Sequence, residues 1–131
     1  MKNLIITLVI VIYAPFSFGQ TPEQKKMIGS ALANYSKVAG AWYLNKRCKF
    51  LDNEKLKIFE KDVAAITIAL SNDLRGSNIL NSIQVSAKKV AESDQYAECG
   101  DELKKNIVDW GVNYAENWSL QIKKIQTEQN Q

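Results

Sequence analysis

Apolar side chains recur along most of this chain at alternating intervals of three and four, the spacing that gathers them on one face of an α-helix. Ile28, Leu32, Tyr35, Ala39 and Trp42 form the first stripe, and Leu56, Phe59, Val63, Ile66 and Leu70 the second. Ile79, Ile83, Ala87 and Val90 form a third, widened by Leu80 and Ala91. The fourth is the longest: Leu103, Ile107, Trp110, Tyr114, Trp118, Ile122 and Ile125. No segment alternates apolar and polar residues one by one, as a half-buried strand would, so the pattern predicts an all-α fold.

Capping residues set the limits of these stretches. Thr21-Pro22-Glu23-Gln24 reads as a capping box, with Thr21 as N-cap, Pro22 in the first turn and Gln24 reaching back. Lys46, Arg47 and Lys49 suit the negative end of the same helix. Asp52 or Asn53 can open the second helix, and Ser71 to Ser77, with Gly76, has the composition of a turn. The third helix starts at Ser77 or Asn78 and is expected to run to Cys99-Gly100, where glycine would provide a left-handed stop. Asp101 caps the fourth, and the polar tail from Gln126 is expected to fray. The predicted helices are 22–46, 53–71, 78–98 and 101–126.

Short connections favour antiparallel neighbours, which predicts an up-down-up-down four-helix bundle. That path delivers Cys48, at the end of the first helix, and Cys99, at the end of the third, to the same pole. It predicts one disulfide between them.

The residues ahead of Thr21 follow a different pattern. Lys2 precedes an apolar run from Leu4 to Ala14 interrupted by Thr7; Pro15 ends the run, and Ser17-Phe18-Gly19 places small residues at −3 and −1 of a cut before Gln20. This is the layout of a secretory signal peptide over 1–19, and the run is too short for a membrane span. The expectation is export to the periplasm or beyond, one domain over 20–131, and no stable membrane insertion after cleavage. Two cysteines in an oxidising compartment agree with a disulfide.

Charge and chemistry narrow the function classes. The chain has 17 basic and 14 acidic residues; without Lys2 the balance is +2, which offers no phosphate-tracking surface and argues against nucleic acid as a partner. Histidine is absent, which removes the commonest general base and the commonest metal ligand. Carboxylate pairs such as Asp94 with Glu98, and Asp101 with Glu102, fall at helix ends where capping explains them. No phosphate loop, nucleophile elbow or calcium-loop spacing is present. The reading is therefore non-enzymatic, with no metal and no cofactor.

Trp42, Phe59, Trp110, Tyr114 and Trp118 lie on the stripes and read as core. Tyr43 stands one position off its stripe and is the candidate exposed anchor for a partner. Gly111 and Ala115, four apart, would let a neighbouring backbone approach closely. Val108 and Val112 extend that side, which is either a homodimer face or part of a fully buried helix. The sequons Asn34-Tyr35-Ser36 and Asn117-Trp118-Ser119 centre on core positions and read as chance.

Cys48-Lys49-Phe50-Leu51 stands ahead of an amphipathic helix, the second cysteine follows at Cys99, and Trp118 precedes Ile122-Lys123-Lys124. In these features the chain resembles the HdeA-type periplasmic acid-stress chaperones, small all-α proteins with a lone disulfide. The resemblance implies a protein that opens in acid and holds unfolding clients. Below about pH 4 the 14 carboxylates would protonate, and self-repulsion would loosen the packing. The leading expectation is an exported domain acting through protein–protein contact, as a stress chaperone or accessory factor. The alternative is a carrier of a small apolar ligand or lipid in an aromatic-lined bundle.

Overall fold

A computed structural model describes residues 21–74 and 78–129. The leader over 1–19, and the turn and cap expected at Gly76 and Ser77, lie outside the described residues. Helix α1 spans Pro22–Cys48, α2 spans Asn53–Leu74 and α3 spans Ile79–Ala91. A 3-10 turn, Asp94–Tyr96, leads to α4 over 101–129. Helix α4 is built from an α turn at Asp101–Leu103, a π-helical stretch at Lys104–Asp109 and a long α segment at Trp110–Gln129. Among the described residues every regular element is helical.

Side-chain bonds fix the directions. Tyr35 Oη lies 2.9 Å from Thr67 Oγ1, and Trp42 Nε1 donates to Glu60 at 3.1 Å, so α2 descends as α1 ascends. Arg47, in the last turn of α1, donates to the carbonyls of Ala91 and Ser93 at 2.9 and 2.8 Å, which brings the upper ends of α1 and α3 together. The path is up-down-up-down, and Cys48 and Cys99 are joined at the upper pole, with their Cα atoms 5.5 Å apart.

Packing partners differ from the expected ones. The broadest interfaces are α1 with α3 and α2 with α4, followed by α1 with α4, whereas α1 with α2 and α2 with α3 meet lightly. The 49–52 link is tightened by its own bonds rather than by a long helix–helix seam. Lys49 takes a left-handed conformation (φ 55°), and the buried Asn45 accepts the Leu51 N–H at 3.0 Å. The Asp52 side chain then caps the start of α2 through the Lys55 N–H at 2.8 Å.

The core has two parts. Tyr35, Phe59, Ile66, Trp118 and Ile122 belong to the larger cluster, and Leu44, Ala91 and Val108 form a smaller one towards the bridge. The Tyr35 hydroxyl, fully buried, is satisfied by Thr67 and by Gln84 Nε2 at 2.7 Å, which ties α1, α2 and α3 together at mid-height. A Cβ built on Gly111 would collide with that of Ala41, so this glycine is where α4 lies closest on α1.

Four expectations need correction. Helix α2 runs on to Leu74, through residues 71–74 that were expected to begin a turn. Helix α3 ends at Ala91, not near residue 98: Arg47 takes the Ala91 carbonyl that the next turn would need, and Ser93 turns extended (φ −71°, ψ 161°). Gly100 is not a left-handed stop (φ −86°, ψ 172°) but the residue that opens α4, so Asp101 sits inside the first turn instead of capping it. Along α4 the innermost positions are Val108, Gly111, Ala115, Trp118, Ile122 and Ile125, while Trp110 lies exposed. The π-helical turn supplies the reason. It carries an i→i+5 repeat, marked by the Lys104–Asp109 ion pair at 3.2 Å across five positions, and the register set by Leu103 and Ile107 does not continue onto Trp110.

Candidate functional site

The weak seam of the bundle lies between α3 and α4. There the surface opens into a groove of about 540 Å³ bounded by α1, α3 and the π-helical part of α4. Its volume falls within the range of ordinary small-molecule sites. Gly40 and Leu44 of α1, Ala87 and Val90 of α3, and Ile107 and Trp110 of α4 supply its apolar lining. Ser36, Ser86, Asn106 and Tyr96 add hydroxyl and amide groups, and Lys37 is the one basic lining side chain.

Each helix contributes for a local reason. On α3 the inward face is Leu80, Ala87 and Ala91, which leaves Val90, an expected core residue, 54% exposed over the groove. On α4 the wide turn carries Trp110 to the rim, where its ring stacks on Tyr114 with centroids 5.0 Å apart; Tyr114 in turn meets Trp118 edge-on at 5.8 Å. The ladder runs from the rim into the core. Burial holds the Tyr114 phenol above its ordinary range, against the opposing effect of a hydrogen bond with Asn34. The Lys37 ammonium stands 5.9 Å from the Trp110 ring centroid.

Gly40 is the informative position. A glycine inside a helix costs about 1 kcal/mol relative to alanine, and a Cβ built here would meet nothing within 4 Å. Gly111 is required by the packing of α4 on α1, whereas the fold places no such demand on Gly40. Gly29 has the same free space but lies on the exposed face near the start of α1. Of these three glycines, Gly40 is the one that lines the groove.

The three residues named from the sequence as possible partner contacts meet round the smaller core cluster rather than on an open surface. Val108 is fully buried in the cluster with Leu44 and Ala91, as the buried-helix alternative for that side of α4 expects. Val112 is half-buried between the two clusters. Tyr43 is also half-buried, packed against the smaller cluster with its ring 4.9 Å from that of Trp42. The α4 side of the groove was hidden by the π-helical turn, which no apolar spacing announces; Gly40, a glycine in mid-helix, was the one visible signal.

Away from the groove, Asp73 is buried near the lower end of α2, and its Oδ2 has no hydrogen-bond partner among the described residues. Burial pushes its pKa up from 3.8 to about 7. The carboxylates at 94, 98, 101 and 102 are all exposed. Among the described residues no three metal-ligating side chains cluster, and no helix is long and apolar enough to cross a membrane. The groove therefore offers shape, apolar surface and one positive charge.

By its fold this is an all-α, disulfide-linked bundle. No protein-family model, curated protein or solved structure matches the chain.

Proposed function

We propose that this is an exported, non-enzymatic helical domain whose work is binding, and that the groove between α1, α3 and α4 receives a small apolar ligand. The observation that carries the reading is the empty floor at Gly40, where the helix forgoes stability without any packing reason. Export is supported by the leader pattern over 1–19 and by the Cys48–Cys99 bridge, a bond suited to an oxidising compartment. The reading predicts that protein purified from its own source and sprayed from native buffer carries a bound apolar molecule in its mass spectrum. It also predicts that apolar ligands added back change the fluorescence of Trp110. Protein that arrives empty and shows no spectral response to any apolar ligand would rule the carrier out.

A second reading, protein–protein contact by a stress chaperone of the HdeA type, is favoured by the aliphatic residues exposed outside the groove. Ile58, Ile68, Val85 and Leu120 are each about half exposed or more. On this reading, stoichiometric protein suppresses aggregation of an acid-sensitive client near pH 2–4. A domain that stays closed and inert there would exclude it.

A further inference from the structure

Resting on the reading of the groove as a ligand site, we infer that its ligand is a single-chain amphiphile with an anionic head, a monoacyl carboxylate, held with the head at Lys37 and the tail along Gly40, Leu44 and Val90.

The charge pattern selects the head. Lys37 lines the groove at its α1 rim, and no acidic side chain shares the lining. A cationic amphiphile would meet only repulsion there, and a neutral one would gain nothing from the ammonium. Lys37 is exposed and stands over the Trp110 face, so an anion can reach it without desolvating a buried charge. Ser36 and Asn106, polar residues of the same lining, are available to a carboxylate oxygen.

The shape selects the tail. Gly40 lies one helical turn beyond Lys37 on α1, with Leu44 one turn further, so the three positions form a line along the groove floor. A straight chain laid on that line passes the missing side chain of Gly40, where even one Cβ would narrow the channel. Val90 and Ala87 of α3 face it from one side, and Ile107 of α4 from the other. The π-helical turn that places Ile107 and Trp110 here is of a kind that recurs at functional sites.

The test is a titration of delipidated protein with dodecanoate, dodecanol and dodecyltrimethylammonium, each below its micelle or solubility limit, followed by tryptophan fluorescence and calorimetry. Dodecanoate should bind most tightly, and Lys37→Met should weaken it relative to dodecanol by up to about fivefold, the upper end for an exposed ion pair. Gly40→Leu should block both dodecanoate and dodecanol while the helical circular dichroism is retained. Equal binding of the three probes, or an unchanged dodecanoate affinity relative to dodecanol in Lys37→Met, would overturn the anionic head but leave the groove as an apolar site. If Gly40→Leu still binds dodecanoate normally, the ligand lies elsewhere and the inference falls. If no probe binds folded protein, the ligand-site reading falls with it.

Discussion

Single residues decide more here than the stripes suggest. Asp73 carries into the bundle a carboxylate oxygen with no partner among the described residues, and its pKa of about 7 lies above the 3.8 expected in the unfolded chain. The fold therefore favours its protonated form. Its penalty is absent below pH 4, grows as pH rises from about 4 to 7, and is constant above that range. The direction opposes simple acid opening, since this one group makes the protein more stable as the medium acidifies. Asp73→Asn should raise stability by about 1–3 kcal/mol at pH 8, the scale of an unsatisfied buried polar group, and should have much less effect at pH 4. Urea unfolding of both proteins at the two pH values checks this; a substitution that destabilises at pH 8 would show that the carboxylate has a partner in solution.

At the level of elements, Arg47 joins α1 to α3 in place of a continued helix. Its two bonds to the Ala91 and Ser93 carbonyls stop α3 and turn the chain towards Cys99. Arg47→Met, which keeps the length of the side chain, should cost about 1–2 kcal/mol and raise hydrogen-exchange rates over residues 88–96 more than elsewhere. Uniform protection would show the bonds to be incidental. The extent of α1 and the start of α2 were legible because capping residues and unbroken stripes agree there, as at Thr21 and Asp52. The end of α3 was not legible, because the group that ends it, Arg47, lies 44 residues earlier in the chain. The turn at Lys104–Asp109 was not legible either: its residues spell an ordinary helix, and only packing of Val108 and Gly111 against α1 selects the wider form. The groove went unseen for the same reason, since Trp110 and Val90 sit on the apolar stripes and look like core until neighbouring helices are in place.

For the whole molecule, the Cys48–Cys99 bond closes a loop holding all of α2 and α3. Removing such a cross-link releases about 4 kcal/mol of restraint on the unfolded chain, a large share of a small domain's stability of about 5–15 kcal/mol. Reduction should lower the urea midpoint sharply, and a Cys48→Ser/Cys99→Ser protein should match the reduced form; an unchanged midpoint would show that the core suffices alone. The joining of the cysteines followed from sequence order, because any up-down-up-down path brings them to one pole. Which helices pair across the bundle did not follow, since α1 lies chiefly on α3 rather than on α2.

The bridge at the upper pole has a mechanical consequence. Thr21 and Gln129 both leave from the opposite pole, so tension applied between them would peel α1 and α4 apart from their free ends, one turn at a time. Once that peeling reached the sulfurs it would stop, and α2 and α3 would remain as a tethered, unstretchable loop. A single-molecule pulling trace should accordingly show a short extension under oxidising conditions, lengthened by the whole 48–99 segment when a reductant is added.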